Sequence, residues 1–151
     1  MKRAKIAVLI SGRGTNLQAL IDAAARPDYP ADIALVISNR PNAKGLDRAT
    51  AAGIATTTID HKAYPSRAAF DAALTESLRE AQVDFVCLAG FMRKLTDAFV
   101  TSWRGKLINI HPSLLPAFKG LDVHERMIEA GVKIAGCTVH FVSAEVDSGP
   151  I

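Results

Sequence analysis

The chain has 151 residues, a formal net charge of +3 at neutral pH and a hydrophobic fraction of 49%. This length predicts a single domain, residues 1–151, with an apolar core of its own. Lys and Arg are scattered, without a basic run or interleaved aromatics, which disfavours a nucleic-acid-binding face. No stretch approaches the ~20 apolar residues of a membrane span, and the N-terminal apolar run is too short for a signal peptide. We therefore expect a cytoplasmic protein.

The two cysteines, Cys87 and Cys137, lie far apart, each within an apolar run. This pattern predicts two buried thiols in a reducing compartment. A metal site would need Cys and His clustered at close spacing, so no metal is expected.

Short apolar runs rich in β-branched residues alternate with segments of helical periodicity. Strands are predicted over residues 4–10, 32–38, 54–59, 83–89, 106–110 and 134–142, with the fourth central. Helices are predicted over residues 17–25, 43–53, 66–82, 96–103 and 123–131. This alternation indicates right-handed βαβ units, and hence an α/β fold with a Rossmann-like, mostly parallel twisted sheet and helices on both faces. Ligands of such sheets bind beyond the carboxyl ends of the strands.

Two details refine these elements. Thr96 is a plausible N-cap residue for the helix that follows it. In the last predicted strand, alternation places Cys137, Val139 and Phe141 on one face.

The turn Ser11-Gly12-Arg13-Gly14-Thr15-Asn16 joins the first predicted strand to the first helix. Its glycines allow a sharp turn and close approach of a ligand, and the helix N-terminus offers free N–H groups to a phosphate. Leu17 stands where the dinucleotide fingerprint has its third glycine, and no P-loop lysine follows. A tight turn without any ligand explains the spacing equally well. If a ligand binds, a monophosphate is favoured over a dinucleotide.

Asn109 and His111 lie two residues apart on an extended segment that ends at Pro112. Their side chains project to the same side, where an amide and an imidazole suit a developing oxyanion. Asp147 follows the last predicted strand, and a carboxylate beside His111 would favour the imidazolium ring. Spacing does not show that the two are close. A structural histidine and a surface-turn aspartate are the alternatives.

Four segments occur in an order and at spacings that resemble the phosphoribosylglycinamide formyltransferase family: ISGRGTNLQAL, LAGFMRKL, INIHPSLLP and HFVSAEVDSGP. The resemblance covers essentially the whole chain. NIHPSLLP and the Asp-x-Gly-Pro loop are shared by wider formyltransferases, whereas the Ser-Gly-x-Gly-Thr-Asn turn narrows the resemblance. It implies an enzyme of purine biosynthesis that transfers the formyl group of 10-formyltetrahydrofolate to the amine of 5'-phosphoribosylglycinamide (glycinamide ribonucleotide), without a metal.

The resemblance also implies roles for individual residues. The catalytic residues of the family are matched by Asn109, His111 and Asp147. The turn that holds the substrate phosphate is matched by Gly14, Thr15 and Asn16. Positions lining the folate site are matched by Arg67, Met92, Arg93, Lys94, Leu95, Asn109, Ser143, Ala144, Glu145, Val146 and Asp147. Arg67 and Arg93 are otherwise explained as solvated arginines, and at the position of Lys94 the family often has an aliphatic residue.

Family members continue beyond the position of Ile151 with a strand, a long helix and part of the substrate pocket. We therefore expect a fragment of a longer chain that is itself inactive or nearly so, with an open sheet edge favouring a homodimer or aggregation. Three alternatives stay open. A formyltetrahydrofolate deformylase uses a similar Asn/His/Asp set but normally has an N-terminal regulatory domain. A methionyl-tRNA formyltransferase would lack the first turn. A phosphate-binding α/β module would have no activity.

Overall fold

The computed structural model describes residues 2–151, and strands alternate with helices along this range. The strands are β1 (Ala4–Ile10), β2 (Ala31–Ser38), β3 (Thr56–Thr58), β4 (Phe85–Leu88), β5 (Leu107–His111) and β6 (Thr138–Phe141). The helices are α1 (Thr15–Ala24), α2 (Gly45–Ala51), α3 (Arg67–Glu80), α4 (Asp97–Ser102) and α5 (Val123–Glu129), with a short 3₁₀ helix at His61–Ala63. Within the described range, no helix is long and apolar enough to span a membrane.

The strands form a sheet in the order β3-β2-β1-β4-β5-β6. The pairs from β3 to β5 are parallel, and only the β5–β6 pair is antiparallel. The predicted α/β fold with a mostly parallel Rossmann-like sheet is therefore confirmed, and β4 lies inside the sheet as expected. The strand order reverses between β1 and β4, which is the switch point where such sheets open a ligand crevice.

Successive residues of β1 supply two apolar cores, one on each face of the sheet. Leu9 packs in one core with Phe70 of α3 and Phe99 of α4. Val8 points the other way and packs in the second core with Leu17 of α1. A parallel strand covered by helices on both sides has to be apolar at every position, which explains the unbroken run in this part of the sequence.

The last strand differs from its prediction. It covers Thr138–Phe141 only, and it is an edge strand paired antiparallel to β5. Val139 and Phe141 share a face as predicted, but they are 55% and 37% exposed. The opposite face carries Thr138 and His140, which are buried. The inward face of β6 is thus the polar one, and its two residues pair with His111 and Asn109 of β5.

The two cysteines lie in different environments. Cys137 precedes β6 on its outer side and is exposed, so the prediction that both thiols are buried is wrong for this residue. The reason is that an apolar run indicates burial only where another layer covers the strand. Cys87 lies in β4 and is partly buried, and this burial raises the pKa of its thiol.

Candidate active site

The candidate site lies where β1, β4 and β5 end. Because these three strands are neighbours and parallel, the segments that follow them meet at one edge of the sheet. The turn Ser11–Asn16 follows β1, residues 89–96 follow β4, and Asn109 and His111 form the end of β5 itself. Sheet topology therefore gathers residues that are about a hundred positions apart in the sequence.

The turn after β1 presents backbone donors to solvent. Gly14 caps α1 in the left-handed conformation, and the first helical hydrogen bond runs from Gln18 N–H to the Gly14 carbonyl at 2.9 Å. The N–H groups of Thr15, Asn16 and Leu17 consequently have no acceptor within the helix. Thr15 and Asn16 border a cleft of about 220 Å³ that Arg40 and Met92 also line. Free N–H groups at a helix N-terminus beside an arginine suit a phosphate.

A larger cleft of about 610 Å³ adjoins the first one across Gly12 and Arg13. It lies on the β2 and β3 side of the sheet, and its walls include Arg40, Lys44 and His61. Asn109, His111 and Asp147 line neither cleft. The volume of a cleft thus does not identify where the candidate catalytic residues lie.

Asp147 and His111 are in contact. The Nδ1 atom of His111 lies 3.4 Å from Oδ2 of Asp147, and the two side chains are 5% and 10% exposed. The Nε2 atom of His111 donates to the Phe118 carbonyl at 2.8 Å, and Gly120 N–H donates to Asp147 at 2.8 Å. Both ring nitrogens therefore face oxygen atoms, and the ring is held between the Phe118 carbonyl and the Asp147 carboxylate.

Asp147 reaches this position because the chain reverses after β6. The antiparallel β6 runs away from the carboxyl end of β5, since Thr138 pairs with His111 and Phe141 with Ile108. The following loop then returns, and Phe141 N–H donates to the Pro150 carbonyl at 2.8 Å. Sequence spacing could not show this contact because it depends on the direction of β6.

Known proteins share the sequence and the fold of this chain. The model of the family described as formyl transferase matches residues 4–151. The chain is 50% identical over 147 residues to a phosphoribosylglycinamide formyltransferase of Haemophilus influenzae, of which it covers 69%. The chain belongs to the formyl transferase family. Within this family, the glycinamide ribonucleotide transformylase 1 structure from Symbiobacterium toebii shares 54% identity at a TM-score of 0.95.

The extent of these matches differs between the relatives. The alignment with the Haemophilus influenzae protein covers 97% of the chain, and that with the Symbiobacterium toebii structure covers 99% of the chain and 70% of that structure. The trifunctional purine biosynthetic protein adenosine-3 of Bos taurus is 57% identical over 150 residues, which are 99% of the chain. The chain spans only 15% of that relative's length.

In this formyl transferase chain, His140 joins the candidate catalytic residues. The register of β5 and β6 places it directly opposite Asn109, and its Nε2 lies 3.4 Å from Asn109 Nδ2 and 3.8 Å from Asp147 Oδ1. Its Nδ1 donates to the Phe141 carbonyl at 3.1 Å. In the neutral ring Nε2 is then an acceptor, so it fixes the direction of the Asn109 amide.

Sequence reasoning missed His140, although a signal was present. The alternation of the last strand places His140 on the face opposite Val139 and Phe141. A histidine on the inward face of a strand next to Asn109 and His111 is a candidate on its own. Recognising it requires knowing that the last strand pairs with β5.

The residues matched to the folate site of the family lie on four segments, one of which is Asn109 of β5. Arg67 is the exposed first residue of α3, and Met92 and Lys94 are exposed after β4. The guanidinium of Arg93 lies 5.6 Å from the ring centroid of Phe70. Ser143, Ala144, Glu145 and Val146 form the loop that leads to Asp147.

Leu95 stands apart from this set. Its side chain is 7% exposed and belongs to the core on the α3 and α4 face of the sheet. It can therefore contribute to a ligand site only through its backbone. Of the four consecutive residues from Met92, Leu95 anchors the segment, and the other three are available to a ligand.

Proposed function

We propose that this protein transfers the formyl group of 10-formyltetrahydrofolate to the amine of glycinamide ribonucleotide, in de novo purine biosynthesis. The observation that carries the proposal is the buried contact between His111 and Asp147 beside Asn109, at the sheet edge that also carries the Ser11–Asn16 turn. The names of the family's relatives, which include phosphoribosylglycinamide formyltransferases, support this choice of reaction.

The proposed reaction begins with attack of the substrate amine on the formyl carbon. The carbonyl oxygen becomes an oxyanion in the tetrahedral intermediate, and Asn109 and protonated His111 donate hydrogen bonds to it. Asp147 holds the His111 ring and favours its charged form. The amine loses a proton, the folate nitrogen gains one through His111 or an ordered water, and cleavage of the carbon–nitrogen bond releases tetrahydrofolate and the formylated amide. No step requires a metal.

One contact has to change before His111 can act in this way. Its Nε2 is bonded to the Phe118 carbonyl, so residues near Phe118 have to withdraw for the ring to reach an oxyanion. Phe118 and Asp122 have positive φ values of 53° and 52°. This conformation costs about 1–2 kcal/mol per non-glycine residue. A rearrangement that relieves such strain therefore recovers part of the free energy lost with the His111 contact.

The two substrates fit different segments of the same edge. We assign the phosphate of glycinamide ribonucleotide to the backbone of Gly14, Thr15 and Asn16, because a helix N-terminus there presents free donors. We assign the folate to Arg67, to residues 92–95, to Asn109 and to residues 143–147. Binding both across one edge gives the proximity that a transfer reaction needs.

The test is turnover by the full-length protein with each substrate alone and with both together. The proposal predicts formylated glycinamide ribonucleotide by mass spectrometry, with tetrahydrofolate released in equal amount. Formate released from the folate without the amine would identify a deformylase instead. Binding of glycinamide ribonucleotide without any turnover would identify a binding module. Either of these results would contradict the proposal.

A further inference from the structure

The segment Phe91–Leu95, hereafter the 91–95 segment, connects β4 to α4 without regular secondary structure. Under the proposed function it carries three residues that contact the folate. A ligand-binding segment of this kind needs a fixed position, because disorder in it would reduce affinity. Two buried polar side chains from elsewhere in the chain hold it: one bonds to Met92 within the segment and the other to Thr96 directly after it.

The first of these side chains is Ser11, which is 3% exposed. Its hydroxyl accepts from Met92 N–H at 2.7 Å and donates to Asn39 Oδ1 at 2.5 Å. Asn39 is itself 1% exposed, and its Nδ2 lies 3.2 Å from His61 Nδ1. The Ser11 hydrogen points to Asn39, so its lone pairs are directed to Met92. Ser11, the first residue of the Ser11–Asn16 turn, thereby joins that turn to the 91–95 segment.

The second side chain is Asp71 of α3, which is 4% exposed. Its Oδ2 accepts from Thr96 N–H at 2.7 Å and from Thr96 Oγ1 at 2.6 Å. Thr96 Oγ1 in turn accepts from Phe99 N–H at 3.3 Å, which caps α4. Asp71 therefore fixes the residue that directly follows the 91–95 segment.

The carboxyl group of Asp71 is matched to Thr96. An apolar side chain of similar size would leave the Thr96 N–H and hydroxyl without this acceptor. What the carboxyl group achieves is a two-bond attachment of Thr96 to α3. The same helix begins with Arg67 and carries Phe70, over which the Arg93 guanidinium lies.

We propose that Ser11 and Asp71 are positioning residues that hold the 91–95 segment for folate binding, a role that rests on the proposed function. The two attachments have different neighbours. The Asp71 attachment is made through α3 and α4, so its loss affects the folate site alone. The Ser11 attachment adjoins the turn after β1, so its loss affects the folate and the phosphate of glycinamide ribonucleotide together.

The experiment measures binding of tetrahydrofolate and of glycinamide ribonucleotide to the full-length protein by calorimetry, and steady-state kinetics in parallel. Thr96→Val removes the hydroxyl while keeping the shape, and we expect tetrahydrofolate to bind about fivefold to tenfold more weakly, as for one lost hydrogen bond. Thr96→Ser keeps the hydroxyl and should bind like the unsubstituted protein. Neither substitution should change the affinity for glycinamide ribonucleotide. Ser11→Ala should weaken the binding of both ligands.

Two further variants distinguish loss of the Thr96 attachment from unfolding of the protein. Asp71→Asn keeps one carbonyl oxygen as an acceptor for Thr96, and we expect it to bind tetrahydrofolate better than Asp71→Leu, which keeps none. Equal folate affinity across the four variants of Thr96 and Asp71, in folded proteins that still turn over, would overturn the inference and leave the proposed function standing. Failure of the unsubstituted protein to bind tetrahydrofolate would overturn both.

Discussion

Replacing Gly14 should destabilise the protein by an amount that can be worked out from the structure. Its φ is +71°, and a Cβ there would lie 2.7 Å from Gly45 Cα, an atom of the α2 backbone. The left-handed conformation costs an L-residue about 1–2 kcal/mol, and overpacking against backbone adds roughly 1–3 kcal/mol. At about 2–4 °C per kcal/mol for this size, Gly14→Ala should lower the Tm by on the order of 10 °C.

Gly12 in the same turn is the matched control. A Cβ there has no atom within 4 Å, and its backbone is not in the left-handed region. Gly12→Ala should therefore change the free energy of unfolding by no more than about 0.5 kcal/mol. The assay is thermal unfolding of the two variants followed by circular dichroism. Equal Tm values would refute the reasoning, since they would show that Gly14 does not need to be glycine.

Two further predictions concern the thiols and the residue next to Asn109. Cys137 should react rapidly with Ellman's reagent within the native protein, whereas Cys87 should react only on unfolding, because burial raises its pKa and leaves less thiolate at pH 8. Cys137→Ser should remove the rapid phase of the reaction, and a rapid phase that persists in this variant would contradict the prediction. His140→Phe should lower kcat by roughly tenfold to a hundredfold, because Asn109 would be misplaced. His140→Gln should lower kcat less, and an unchanged kcat in both variants would exclude a catalytic role for His140.

The fold could be predicted closely because its signals are local. The strand predicted over residues 4–10 agrees with β1 at both ends, and Thr96 caps α4 as predicted. Apolar runs and helical periodicity report on contacts that each element makes along its whole length. They predict the elements and the mostly parallel sheet, and the sheet in turn places the turn after β1 at the same end as Asn109 and His111.

The contacts that the sequence did not show are made between residues that lie far apart along the chain. Asp147 meets His111 only because β6 is antiparallel and the loop after it returns. His140 contacts Asn109 for the same reason. Gly14 illustrates a different problem, because the sequence explains its glycine by the approach of a ligand. In the structure the close approach is made by Gly45, so this glycine is required even without a ligand.

The most direct test of the proposed mechanism is the kcat of Asp147→Asn in the full-length protein. The amide preserves size but removes the charge that favours the His111 imidazolium. We expect kcat to fall by a factor on the order of 10², with little change in either KM, as when oxyanion stabilisation is lost. His111→Asn should cost at least as much, and the double variant little more than the worse single one, because the two residues act as a unit. A kcat for Asp147→Asn equal to that of the unsubstituted protein would contradict the mechanism.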